Sequence, residues 1–141
     1  MKKRSSYRPR PLNIPVTRGL LDEFSRELHF SLMKAELGYF TKLEFDKIGG
    51  CMNCIYGALS IKPPKESSIL VVIEGAMRAM NECGQRGRRT KIWMLTLEER
   101  AAVCAGVQKM EEALPAMDVM LLYQSMQNLK ELQLAEEGMA A

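Results

Sequence analysis

The sequence predicts an all-α protein, a compact bundle of four to five helices. Three observations predict it. Apolar residues recur at three- and four-residue steps along most of the chain, the period of a helix face. Two Thr-x-x-Glu boxes, Thr41 to Glu44 and Thr96 to Glu99, have the residues that cap helix starts. Prolines at Pro63, Pro64 and Pro115 divide the periodic segments into lengths that short loops can join.

Residues 1–16 come first and have no periodicity. Lys2, Lys3, Arg4, Arg8 and Arg10 fall among Pro9, Pro11 and Pro15, without one acid. They read as a flexible, disordered basic arm. A first helix starts near Thr17 and carries Leu20, Leu21, Phe24, Leu28, Leu32 and Leu37 before it stops near Gly38. The second starts at the Thr41 box. Ile48, Cys51, Met52, Ile55 and Leu59 line its face, and Gly49-Gly50 inside it weakens it by about 1 kcal/mol per glycine while permitting a close helix crossing.

A third helix is predicted from about Lys65 to Gly84, with a basic loop, 85–91, after it. Ile92 to Leu95 reads as a short extended stretch packed on the core. The Thr96 box opens a fourth helix carrying Val103, Val107, Met110 and Leu114, and Pro115 kinks or breaks it. Asp118 can cap a last helix. There Val119, Leu122, Met126, Leu129 and Gln133 follow a/d steps over two heptads, either as a core face or as a contact with a second copy. Residues from Glu136 onward read as frayed. The expected organisation is an arm (1–16), one helical domain (17–135) and a short tail (136–141).

The 141 residues suit one domain, and 47 % hydrophobic composition is ample for its core. No apolar run approaches the ~20 residues of a membrane-spanning helix. No apolar segment of signal-peptide type follows the basic opening. The expected setting is cytoplasmic. Net charge is +3, but residues 1–18 and 86–91 hold ten of the 20 basic groups and no acid. The other ten basic residues face all 17 acids, leaving an acidic body of −7 with two basic features.

Cys51 and Cys54 have the spacing of a metal or redox pair, yet zinc needs four ligands and Cys83 and Cys104 are single. Four free thiols are the simpler expectation. His29, the one histidine, sits between Leu28 and Phe30 and reads as half-buried packing. Glu98-Glu99 and Glu111-Glu112 read as solvated helix faces. No nucleophile, base and orienting group can be assembled, so neither an enzyme nor a cofactor or metal is expected.

Two candidate binding surfaces remain. Met120, Leu122, Tyr123, Met126 and Leu129 around the terminal seam suit a protein partner, methionine being an adaptable contact residue. Arg86, Arg88, Arg89 and Lys91 can hold phosphates while Trp93 stacks on a base, or can steer the chain to an acidic protein surface.

The order of features resembles a group of small proteins encoded by phages and prophages of Gram-negative bacteria. The resemblance rests on the opening Lys2-Lys3-Arg4-Ser5-Ser6-Tyr7-Arg8-Pro9-Arg10-Pro11, on the helical body, and on the Arg-Gly-rich stretch leading to Ile92-Trp93-Met94-Leu95-Thr96 and a Glu-rich helix start. It implies no catalytic motif. It implies a non-enzymatic protein that binds a host protein in the bacterial cytoplasm and modulates or inhibits it. A small nucleic-acid-binding regulator using the arm and residues 86–91 is the alternative.

Overall fold

The structure, a computed structural model, describes the backbone of residues 16–140 and all of their side chains except those of 133 and 136–140. The basic arm Lys2, Lys3, Arg4, Arg8 and Arg10 therefore lies outside the described residues. Five helices follow in order: α1 (Arg18–Leu37), α2 (Lys42–Ile61), α3 (Ser67–Thr90), α4 (Leu97–Ala113) and α5 (Val119–Ala140). The fold is an all-α bundle, with no strand among the described residues.

Local chemistry explains most of the boundaries. Thr17 accepts the Leu20 N–H at 3.3 Å to start α1. Gly38 ends it at φ +83°, a conformation glycine adopts without steric cost. Both Thr boxes are formed. Glu44 reaches back to the Thr41 N–H at 2.7 Å, and Glu99 to the Thr96 N–H at 2.9 Å. Pro115 sits in a 3-10 turn, Leu114–Ala116, so the chain breaks there rather than merely bending. Asp118 then accepts the Met120 N–H at 2.9 Å at the start of α5.

Two boundaries differ from the sequence reading. Residues 85–90 are not a loop: α3 runs on through Thr90 and closes at Lys91, whose φ of +64° is the one left-handed non-glycine among the described residues. Tertiary packing carries the helix through the glycine-rich stretch. The Phe45 ring lies over Gly84, and the Trp93 indole lies over Gly87 so closely that a methyl group there would come within 2.5 Å of it. The backbone of α5 is also helical through Ala140, past the fraying expected from Glu136, in a segment of strong helix formers up to Gly138.

The core is built by α1 to α4. Leu28, Ile48, Met52, Ile55, Ile73, Val103, Val107 and Met110 are each at most 2 % exposed. Burial of each contributes about 1.5–3 kcal/mol. α3 and α4 make the most extensive pairing, and α5 packs chiefly on α2. The close α3–α4 crossing depends on Gly106, where a Cβ would overlap that of Ala76. Gly57 plays the same part for α2 and α5, lying under the Ser125 hydroxyl. The crossing expected at Gly49-Gly50 is not used: Gly50 has nothing within 4 Å, and Gly49 only the Met80 methyl at 3.8 Å.

Candidate protein-binding site

α5 is held to α2 by a narrow strip. The buried Ser125 donates to the Cys54 carbonyl at 2.7 Å, and the Cys54 thiol approaches the Leu122 carbonyl at 3.6 Å. Outside this strip α5 exposes large apolar side chains among polar ones, Gln124, Asn128, Lys130 and Glu131. Met120, Tyr123 and Met126 are 51 %, 57 % and 47 % exposed, and Leu132 and Leu134 are exposed further on. A helix with apolar residues on more than one face is ordinarily covered on more than one face.

Beside the strip an apolar trough opens between α1, α2 and α5. It encloses about 520 Å³ and is walled by Phe24 of α1, by Cys51 and Ile55 of α2, and by Leu122, Met126 and Leu129 of α5. A second hollow of about 350 Å³ adjoins it through Phe24, Cys51 and Lys47 and extends along α1 to Leu20. Lys47 and Lys130 are the charged groups on the main trough. Lys47 pairs with Glu27 at 3.2 Å, while Lys130 has no ion-pair partner among the described residues.

The five sequence-predicted seam residues are thus brought together on α5 in two ways. Leu122, Met126 and Leu129 wall the trough, and Met120 and Tyr123 stand on the adjoining open surface. The opposite wall, Phe24 with Cys51 and Cys54, was not foreseen as part of the site. The signal for it was the width of the apolar band on α2, which takes in Cys51 and Cys54 as well as Met52 and Ile55.

The basic set does not hold together in the same way. Arg86 grips the buried Glu99 with two guanidinium nitrogens, at 2.5 and 3.2 Å, and donates to the Met94 carbonyl at 2.8 Å. Glu99 is only 6 % exposed, so it is not the solvated group it was expected to be. The Arg86 hydrogen bond and the capping contacts outweigh its burial and hold its carboxyl below the ordinary range. Trp93 is half-buried, with its ring centroid 5.0 Å from that of Phe45, and is not free to stack on a base. Arg88, Arg89 and Lys91 remain exposed without an acidic partner among the described residues.

His29 is exposed rather than packed, and meets Glu111 of α4 at 2.5 Å. Glu112 pairs with Lys109 at 3.1 Å. All four cysteines are free, and burial pushes each thiol above its ordinary pKa, which lowers its reactivity. Among the described residues no three His, Cys, Asp or Glu side chains gather as a metal site, and no helix is long and apolar enough to cross a membrane.

No protein-family model, curated protein or solved structure matches the chain.

Proposed function

We propose that this chain is a non-enzymatic helical protein of phage type that binds a host protein in the bacterial cytoplasm and modulates or inhibits it. The observation that carries the reading is the exposure of Met120, Tyr123 and Met126 on α5, the last of which also walls the trough. Aromatic residues and methionine are enriched at protein interfaces, and an amphipathic helix laid into a groove is a recurrent mode of recognition. The phage setting comes from the resemblance of the basic opening.

The nucleic-acid alternative keeps Arg88, Arg89 and Lys91 but loses Arg86 to Glu99 and Trp93 to the Phe45 packing. That leaves it three exposed charges on the helical body, to which the arm adds Lys2, Lys3, Arg4, Arg8 and Arg10, and the binding it supports is salt-sensitive.

A pulldown with tagged protein from bacterial lysate, with and without nuclease, separates the two. The protein-partner reading expects one stoichiometric protein that survives nuclease and is lost with Tyr123→Glu, a change at an exposed site that leaves the fold intact. Captured material that nuclease clears, and that Arg88→Glu with Arg89→Glu abolishes, overturns it in favour of nucleic acid.

A further inference from the structure

We infer that Cys51, Cys54 and Met126 form a three-sulfur site for a soft monovalent metal ion, Cu(I). The site lies on the trough and does not rest on the protein-partner reading.

Placement brings the three sulfurs to one wall. Cys51 and Cys54 are three positions apart on α2, so they share a face of the helix. Both are half-buried, and both line the trough. The Cys54 thiol lies 3.6 Å from the Leu122 carbonyl, which directs it toward α5. Met126 stands about one helical turn past Leu122 and lines the same trough. At 47 % exposure its side chain has room to move, and its unbranched, flexible stem lets the thioether turn inward.

Donor chemistry selects the metal. Thiolate and thioether sulfurs are soft ligands that favour Cu(I) over harder divalent ions. Zinc takes four strong donors. Among the described residues no third His, Cys, Asp or Glu gathers with this pair. Cu(I) is satisfied by fewer ligands, and the apolar walls at Phe24, Leu122 and Leu129 limit the water that could enlarge its shell.

Charge favours a monovalent ion. On binding, each thiol exchanges its S–H bond for an S–Cu bond, and both protons pass to solvent. The metal and the sulfurs keep their oxidation states. Two thiolates with one Cu(I) leave a single negative charge. The charged groups around the pair are Glu27 of α1, Lys47 of α2 and Lys130 of α5. Glu27 and Lys47 pair with each other at 3.2 Å, while Lys130 has no ion-pair partner among the described residues. Lys130 therefore supplies the balancing charge. A divalent ion would neutralise the thiolates by itself and leave that lysine without a counter-charge.

Anaerobic titration of the reduced, purified full chain with Cu(I), in competition with the chelator bicinchoninate, tests this. One equivalent is expected to pass from chelator to protein. Cys51→Ser and Cys54→Ser are each expected to weaken binding roughly 100-fold or more. Met126→Leu, which keeps the apolar volume, should weaken it about tenfold, and Lys130→Glu several-fold. Cys104→Ser should leave the affinity unchanged, and excess Zn(II) should not displace the ion. X-ray absorption at the copper edge should show sulfur neighbours only, a readout that needs no variant to fold. A chain that leaves Cu(I) with the chelator overturns the inference, as does binding that survives the loss of Cys51 or Cys54. Nitrogen or oxygen neighbours overturn it too, and so does a Met126→Leu variant that binds as tightly as the wild type. Because only the purified chain is used, none of these outcomes bears on whether the lysate pulldown finds a host protein.

Discussion

The α3–α4 pair and α5 are both rich in apolar residues but reach opposite ends. Val71 and Leu97 apart, the large apolar side chains of α3 and α4 close inward. Gly106 admits Ala76, Trp93 covers Gly87, and Arg86 crosses from α3 to the Glu99 that also caps α4. α5 has one narrow strip on α2 and leaves Met120, Tyr123 and Met126 in the open. One region is a finished core and the other an unfinished one. The exposed face belongs to the region whose own fold does not need it, and such a region can gain a partner without losing the scaffold.

The largest effect should come from unsealing the first region. Glu99→Ala leaves Arg86 half-buried without its carboxylate and removes the α4 capping box. The expected loss is about 3 kcal/mol, the lower end for breaking a buried pair since the guanidinium is partly exposed. Urea unfolding would show it as a lower midpoint with an unchanged slope. Replacing both members together, Arg86→Leu with Glu99→Leu, should cost less than Glu99→Ala alone.

A smaller and more local loss is expected at the other region. Gly57→Ala drives a methyl into the Ser125 hydroxyl and lifts α5 from α2, at a cost of about 1–3 kcal/mol. If α5 is the separable part, hydrogen exchange will quicken along α5 while the α3–α4 amides keep their protection. Equal loss of protection in both regions would show that the contrast is one of surface and not of stability.

Acid should reveal the seam between α1 and α2. The Thr41 hydroxyl and N–H, together with Lys34 at 2.9 Å, hold the Glu44 carboxyl down to about 2 from its ordinary 4.5. A depressed carboxylate stabilises the fold fully above its unfolded pKa, and the benefit is lost as pH falls through the folded value. Stability is therefore expected to fall between pH 4.5 and 2, and Glu44→Gln should flatten part of that slope in acid titrations followed by circular dichroism.

These contrasts were legible in unequal measure. The caps were readable because Thr41 with Glu44 and Thr96 with Glu99 act within one turn. The terminal seam was readable as a seam, because its steps of three and four are local. That it would line an open trough was not, since the far wall belongs to Phe24 and Cys51, on helices whose crossing no short spacing encodes. Residues 85–91 were misread for a physical reason. Gly84 and Gly87 look like helix breakers along the chain, yet each is the bare patch on which Phe45 or Trp93 rests. Once the helix continues, Arg86 points to Glu99, thirteen positions away, and ceases to be a ligand for anything else.

The smallest predicted effect lies at the joint of the sealed region. Lys91 closes α3 at φ +64°, where a side chain costs about 1–2 kcal/mol. Lys91→Gly removes that strain but loosens the unfolded chain, which gives back about 0.4–1 kcal/mol. The net gain should be about 0.5 kcal/mol, or about 2 °C in Tm for a domain of this size. The same change deletes one of the three basic groups still exposed at this end. If a protein partner is captured, a stabilised variant that keeps it would confine the binding surface to the unfinished region. A stabilised variant that loses the partner would move part of that surface onto the sealed one, and the division of labour between the two regions would have to be redrawn.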